Sequence, residues 1–217
     1  MQKLISFSLF GDKDKYTVGI QRNIELAKQF YPDWNVIIYY KSMPDELFNI
    51  LQNQVILRHV TNPRLCGTMW RFLAHDEPNT ERFMIRDADS RISQREVDAV
   101  NAWLESGKIL HIMRDHPHHG YAIMGGMWGM ICQPAFNMEL DCVNYMSNKD
   151  PEHWSMTDMD FLRDVVYPRY YQNSKIHATY AKFELWAENF PTPLIDKKFV
   201  GEIWQADESR DYQCNLI

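Results

Sequence analysis

The chain has 217 residues, of which 23 are Lys or Arg and 29 are Asp or Glu, so its formal net charge is −6. This length suits one ordinary domain, and the acidic balance argues against a dedicated nucleic-acid-binding protein, which would carry a basic stripe. Hydrophobic residues make up 45% of the chain and aromatic residues 13%. That share is enough for a packed core and excludes global disorder.

The cysteines and the apolar runs indicate a cytoplasmic protein. The spacing of the four cysteines matches no zinc motif, and four are too few for a disulfide scaffold. They are Cys66, Cys132, Cys142 and Cys214. Residues 1–7 predict a buried strand rather than a signal peptide. No apolar run approaches the roughly 20 residues of a membrane-spanning helix, so no membrane span is expected.

The first three elements have clear sequence patterns. Alternation over residues 3–10, ending near a glycine, predicts a strand. Apolar residues three to four apart over residues 17–31 predict a helix that stops at Pro32. The continuous apolar run Asn35–Tyr40 is typical of a strand buried on both faces.

Strands and helices continue to alternate through residue 113. The predicted elements are a short helix over residues 44–52, a strand over 55–60, a helix over 64–75, a strand over 82–86 and a strand over 109–113. Between the last two strands, Ser93 and Glu96 have the spacing of a capping box, and Gly107 is a C-terminal stop signal for the same helix.

This alternation predicts an α/β fold with a central mixed, mostly parallel sheet flanked by helices. From about residue 115 the helices shorten, and glycines, histidines and tryptophans cluster. We therefore expect a single compact domain over residues 1–217.

The sharpest motif is the pair Asp87 and Asp89 after the strand at 82–86. Ligands of open α/β sheets bind beyond the carboxyl ends of strands. Hard divalent cations such as Mn²⁺ and Mg²⁺ prefer carboxylate oxygens, usually together with substrate phosphates and water. The pair therefore predicts a Mn²⁺ or Mg²⁺ site, and the alternative is a solvated acidic turn paired with the neighbouring arginines.

The motif and its context resemble glycosyltransferases of the GT-A fold, which use nucleotide-diphosphate sugars and carry an Asp-x-Asp pair after a Rossmann-like half. The resemblance extends to residues 7–11 (FSLFG), 125–129 (GGMWG) and 157–162 (TDMDFL). It includes small glycosyltransferases of large DNA viruses, of the type used in chlorella-virus capsid glycosylation, and more distantly the glycogenin-like family. It implies a donor that is a nucleotide sugar, with UDP favoured, and a glycan or glycoprotein acceptor. It also implies a nucleotide-sugar-binding half at about 1–114 and an acceptor-side half at about 115–217, in a chain that is either a minimal enzyme or one catalytic module of a longer polypeptide. If the chain is viral, the expected location is the host cytoplasm.

The resemblance also implies roles for individual residues. Asp158 and Asp115 are the candidate catalytic residues, and Asp87 and Asp89 the metal ligands. Nucleotide binding is expected from Ser8, Leu9, Phe10, Gly11, Tyr16, Arg64 and Asp87. Sugar or acceptor binding is expected from Arg86, His116, Gly125, Gly126, Trp128 and Asp158. Residues 157–162 resemble a late segment of retaining members, which suggests retention of configuration.

The late metal-binding histidine of glycogenin-like enzymes has no counterpart in residues 197–204, which keep the glycine and the tryptophan. His177 is the only histidine in the last sixty residues and is the candidate third ligand.

Several of these residues have a structural alternative. Asp158 can instead stabilise the first turn of a helix, where a carboxylate interacts favourably with the helix dipole by about 0.3–1 kcal/mol. His116 belongs to a histidine-rich stretch at 111–120 that lacks the spacing of a zinc site, so a polar loop that touches sugar is the preferred interpretation. Trp128 can form a pocket wall or belong to the core, and Gly125 and Gly126 can admit a ligand or form a tight turn.

Two rival functions remain. A phosphatase of the haloacid-dehalogenase type also uses an aspartate pair after a strand, but its pair should follow a strand near the N-terminus. The second rival is a non-catalytic module that binds a nucleotide sugar without turnover, since fold alone does not establish function.

Overall fold

The computed structural model describes residues 1–11, 13–147, 149 and 156–211. A seven-stranded sheet lies at its centre. The strands are β1 (Gln2–Leu9), β2 (Asn35–Tyr40), β3 (Ile56–His59), β4 (Thr80–Ile85), β5 (Leu110–Arg114), β6 (Trp128–Ile131) and β7 (Ser174–Ala178).

Helices connect most of these strands and cover both faces of the sheet. They are α1 (Asp14–Phe30), α2 (Asp45–Leu51), α3 (Gln94–Ser106), α4 (Met138–Met146), α5 (Thr157–Phe161) and α6 (Tyr167–Tyr170). A 3₁₀ segment (Gly67–Asp76) precedes β4, and one π-helical turn (Leu162–Val166) joins α5 to α6.

The sheet has the order β3-β2-β1-β4-β6-β5-β7. Only β6 runs antiparallel to its neighbours, β4 and β5; the other pairs are parallel. Six strands therefore end at the same edge. The chain moves outward from β1 to β3 and then returns to place β4 on the other side of β1, so a crevice opens where β1 and β4 end, as at the switch point of open α/β sheets.

Two apolar cores pack against the two faces of this sheet and fix its position. One contains Phe72, Phe83 and Trp128, all fully buried. The other packs the inner face of α1 and the indole of Trp103 against β1 and β2. The strand ends at the crevice are thus held by close-packed interiors.

The predicted mixed, mostly parallel α/β fold is confirmed, and several elements match closely. β2 has the predicted bounds. Ser93 Oγ accepts a hydrogen bond from the Glu96 backbone N–H at 3.4 Å, and Gly107 ends α3 with a left-handed φ of +62°. The carboxylate of Glu96, however, turns inward to Arg86 at 2.7 Å instead of closing the capping box.

The helix predicted over residues 64–75 is a 3₁₀ segment that starts three residues later. Cys66 is extended, with φ −71° and ψ 152°. Gly67 lies beneath the ring of Phe10, where a Cβ would come within 2.7 Å of a ring carbon. The chain therefore enters this segment at the end of β1, and the entry geometry delays the first helical turn.

In the described part of the chain, no helix is long and apolar enough to cross a membrane. Cys66, Cys132 and Cys142 are free thiols, as expected, while Cys214 lies outside the described residues.

Candidate functional site

The Asp-x-Asp pair forms a tight turn directly after β4. The hydroxyl and the backbone N–H of Ser90 both donate to the carbonyl of Asp87, at 2.9 and 3.2 Å. This closes the turn around Ala88, which is buried. The side chain of Asp87 is 40% exposed and that of Asp89 is 12% exposed. The two carboxylates therefore sit at the mouth of the crevice, one open and one largely covered.

One face of α1 holds this turn in place. A Cβ on Gly19 would lie 2.1 Å from the carbonyl oxygen of Ala88, so only bare backbone fits there. One turn later, the amide of Asn23 donates to the carbonyls of Ala88 and Ser90, at 3.3 and 2.8 Å. One turn before Gly19, Lys15 reaches the same loop. Positions four apart share a helix face, so these three residues form a stripe along α1 that the sequence analysis missed.

Lys15 forms an ion pair with the second carboxylate of the turn. Its ammonium lies 2.7 Å from Asp89 Oδ2. Burial raises the pKa of Asp89, as does the charge of Asp87, while the hydrogen bond from Lys15 lowers it. Burial works against the charged form of Lys15, yet the hydrogen bond and charge of Asp89 raise the pKa of that lysine above its usual value.

Arg71, in the 3₁₀ segment, is anchored by the end of β1. Its carbonyl accepts a hydrogen bond from the hydroxyl of Ser6 at 2.7 Å, and its backbone N–H donates to the hydroxyl of Ser8 at 3.0 Å. Ser8, expected to bind nucleotide, thus positions a neighbouring residue in this structure.

The guanidinium of Arg71 joins two of the predicted site carboxylates. It donates to Asp87 and lies 3.3 Å from Asp158 Oδ2. Burial raises the pKa of Asp158, the charge of Arg71 lowers it, and Asp87 raises it further. The structure therefore brings Asp158 and Asp87 together, from segments 71 positions apart, around an arginine that was not predicted.

Gly125 and Gly126 lie against these carboxylates. A Cβ on Gly126 would come within 1.8 Å of Asp87 Oδ2, and a Cβ on Gly125 within 2.7 Å of Asp158 Oδ2. Both glycines have φ outside the left-handed region, so close approach, rather than turn geometry, requires them. The glycine pair is therefore part of the carboxylate cluster.

The residues expected to bind nucleotide surround the end of β1. Gly11, at φ +80°, lines a cleft of about 670 Å³ between the N-terminal halves of α1 and α2. Phe10 is 40% exposed and packs edge-on against Trp70. Tyr16 is half-buried, and its ring lies 4.8 Å from the Lys15 ammonium. The side chain of Leu9 is buried in the core.

Arg64, also expected to bind nucleotide, is exposed and lies in the connection between β3 and the 3₁₀ segment.

Two residues expected to contact sugar are in the interior instead. Arg86 is 1% exposed; it pairs with Glu96 and donates to the carbonyl of Trp128 at 3.2 Å. Trp128 is fully buried on β6, edge-on to Phe72 and Phe83. Neither side chain can form a pocket wall in this arrangement.

Asp115, a candidate catalytic residue, and His116 are also enclosed. Asp115 is fully buried and forms a two-pronged pair with Arg95, both distances being 2.7 Å. It also accepts from the Val200 backbone N–H at 2.9 Å. His116 is 2% exposed and packs on the ring of Phe199. These residues join the 115–120 loop to the C-terminal segment, which is a structural role.

His177, the candidate third ligand, does not join the aspartates. It lies on β7, three strand positions from β4, or about 14 Å at the usual spacing. Its Nδ1 forms a hydrogen bond of 3.0 Å with His111 Nε2. Burial lowers the pKa of His177 to about 4.

The donor set of the crevice suits a hard cation that takes its remaining ligands from substrate and water. Within the described ranges, no three His, Cys, Asp or Glu side chains are grouped to hold a metal by themselves. Two carboxylates at the end of a strand, one of them 40% exposed, are what Mg²⁺ or Mn²⁺ requires when phosphate oxygens complete its shell. The residues present therefore fit such an ion.

Comparison with solved structures supports the fold. A glycosyltransferase involved in the glycosylation of the major capsid of PBCV-1 superposes with a TM-score of 0.51 at 15% identity, covering 82% of each chain. The glycosyltransferase GlyE of Streptococcus pneumoniae TIGR4 gives a TM-score of 0.55 at 12% identity, and its apo form 0.53 at 14%.

Against GlyE the match covers 80% of this chain and 44% of that protein. No protein-family model and no curated relative matches the sequence. The resemblance to GT-A-type glycosyltransferases is thus confirmed at the level of the fold.

Proposed function

We propose that the protein is a divalent-metal-dependent glycosyltransferase. It transfers a sugar from a nucleotide-diphosphate donor, with UDP as the favoured nucleotide, to a glycan or protein-linked acceptor. One observation carries the proposal: Asp87 and Asp158 meet on the guanidinium of Arg71 at the crevice between β1 and β4. Asp89, paired with Lys15, belongs to the same turn as Asp87, and the fold is similar to that of solved glycosyltransferases.

The donor would lie across the carboxyl ends of β1 and β4. The nucleoside is assigned to the cleft that Gly11 lines, beside the exposed ring of Phe10. The diphosphate then extends toward Asp87, whose carboxylate has solvent access. This placement leaves the 115–217 half for the acceptor.

Asp87 and Asp89 would hold the metal ion. When bound, the ion neutralises negative charge that develops on the departing nucleoside diphosphate. Arg71 keeps the carboxylates of Asp87 and Asp158 in fixed positions, because its buried guanidinium contacts both.

Asp158 is assigned to the transferred sugar. Its carboxylate lies against the bare backbone of Gly125 and 9% of its side chain is exposed; a hydroxyl of the donor sugar or of the acceptor would approach through that opening. Retention of configuration is proposed from the sequence resemblance of residues 157–162. Proton NMR of the first product formed from an α-linked donor tests it, since an inverting enzyme yields the β-anomer.

The proposed function is tested by calorimetry of UDP, GDP and CMP, each with and without Mn²⁺. We expect UDP to bind tightest and only with the metal ion. Asp87→Asn and Asp89→Asn should each remove the metal-dependent part of binding. Asp33→Asn, on an exposed turn remote from the crevice, is the matched control and should bind as the unmodified protein does.

Unchanged affinity in either site variant would refute the metal site. Two further outcomes favour the rivals. Metal-dependent UDP binding without sugar transfer or donor hydrolysis, for any acceptor, supports a binding module. An aspartyl-phosphate analogue trapped with a metallofluoride supports a phosphohydrolase.

A further inference from the structure

Among the described residues, two cations pair with the three carboxylates of the site, Asp87, Asp89 and Asp158, and they are held very differently. Arg71 is 7% exposed and contacts two carboxylates. Lys15 is 21% exposed and contacts one carboxylate, that of Asp89, at 2.7 Å. A lysine ammonium is a compact charge on a flexible stem, whereas a guanidinium held by two partners is fixed. Of the two, Lys15 is the cation that can leave.

The position of Lys15 is determined by the fold. It belongs to the stripe on α1 whose other members, Gly19 and Asn23, contact the backbone of the turn. Its ammonium also lies 4.8 Å above the ring of Tyr16, a favourable cation–π distance. The helix therefore delivers a positive charge to Asp89 whenever no other cation is present.

We infer that Lys15 is the resident counter-ion of Asp89, which a divalent metal ion must displace in order to bind. The inference rests on the proposed metal-dependent function and adds a regulatory step to it. Mg²⁺ lies about 2.1 Å from a carboxylate oxygen, and the ammonium is 2.7 Å from the same group. A metal ion on the oxygen that Lys15 contacts, Asp89 Oδ2, would lie closer to the ammonium than the sum of these two distances, so the two cations would repel strongly.

This exchange has two consequences. The metal-free protein keeps its buried aspartate paired, which avoids the cost of an unpaired buried charge. The metal ion by itself binds weakly, because it competes with Lys15. Binding of a nucleoside diphosphate relieves the competition, since its phosphate oxygens accept the displaced ammonium. Lys15 thus couples metal binding to nucleotide binding at this site.

The test is a titration of the whole chain with Mn²⁺, followed by calorimetry or by the EPR signal of the free ion, with and without UDP. Lys15→Met should bind Mn²⁺ about tenfold tighter in the absence of nucleotide. The gain in Mn²⁺ affinity that UDP produces should shrink in the same variant. Lys15→Arg keeps the positive charge at this position and should show no gain in Mn²⁺ affinity in the absence of nucleotide.

Lys13→Met is the matched control, because it removes the same charge from an exposed residue two positions earlier. Its Mn²⁺ affinity should be unchanged. In an Asp89→Asn background, Lys15→Met should no longer alter Mn²⁺ binding. Thermal unfolding of each variant verifies the fold, and Lys15→Gln replaces Lys15→Met if the latter does not fold.

Equal or weaker Mn²⁺ binding by Lys15→Met overturns the inference and leaves the metal site intact. So does a comparable gain in Lys13→Met, which would show a general charge effect. If no variant binds Mn²⁺, with or without UDP, the metal site itself fails and the inference falls with it.

Discussion

Replacing Gly126 with alanine should weaken ligand binding in the crevice while leaving most of the fold intact. The added Cβ would lie 1.8 Å from Asp87 Oδ2 and 2.3 Å from its Cγ. Contacts of Cβ atoms shorter than 3.0 Å essentially do not occur. The carboxylate must therefore retreat by about 1.2 Å, which changes the geometry of its contact with Arg71.

The expected effect on binding is larger than the effect on stability. Overpacking of this kind costs about 1–3 kcal/mol of unfolding free energy. We expect a cost near the low end of that range for Gly126→Ala, because the Asp87 side chain that must move is 40% exposed. A displacement of about 1 Å in a positioned group can lower catalysis by about 10²-fold. We expect at least about a tenfold loss of UDP affinity in the presence of Mn²⁺.

Calorimetry and thermal unfolding measure the two effects separately. Gly120→Ala is the control, because a Cβ at that position meets no atom within 4 Å. If Gly126→Ala binds UDP with Mn²⁺ as Gly120→Ala does, the Asp87 carboxylate is not held against this backbone and the geometry of the site is refuted.

Two further predictions concern buried charge. Arg71→Met should lower the free energy of unfolding at pH 7 by about 3–5 kcal/mol in urea titrations, because Asp158 then stays buried without a cation; adding Asp158→Asn should recover part of the loss, and additive losses would contradict this pairing. Burial lowers the pKa of both His119 and His177 to about 4, so folding keeps them neutral. Their stabilising contribution is complete above pH 6.5 and is lost as the pH falls toward 4. His177→Gln should flatten the decline in urea-measured stability over that range, and an unchanged slope would refute the assignment.

The parts of this structure that were predictable from sequence are those that local chemistry determines. The bounds of β2 follow from a run of apolar residues buried on both faces, and the ends of α3 follow from Ser93 and Gly107. The location of Asp87 and Asp89 at a strand end follows from an apolar strand running into an acidic turn.

The partners of these aspartates were not predictable in the same way. Arg71 and Lys15 lie 16 and 74 positions from the carboxylates they neutralise, and long cationic side chains are ordinarily solvated on a surface. A signal was nevertheless present: Gly19 and Asn23 are non-apolar residues on the buried side of α1. Such positions on a packed face indicate close backbone approach or a satisfied polar contact.

The burial of Trp128 and His116, which were predicted to line the site, was also not predictable from local sequence. Trp128 was grouped with the site as a candidate pocket wall and His116 as part of a polar loop that touches sugar, but both residue types also occur in protein interiors. Whether these side chains are buried depends on which elements pack against β6 and against the 115–120 loop. That packing belongs to the tertiary structure and cannot be read from the local sequence.

The stripe on α1 also limits which insertions and deletions the chain can accept. Adding one residue between Lys15 and Asn23 rotates part of the helix by about 100° relative to the rest. Lys15, Gly19 and Asn23 could then no longer all face the turn that carries Asp87 and Asp89. An apolar face tolerates such a shift when neighbouring side chains can repack, but Gly19 meets a backbone carbonyl at a distance no other residue permits. The register of α1 is therefore set by the turn that carries the two aspartates, and insertions or deletions in this helix are tolerated only outside the segment from Lys15 to Asn23.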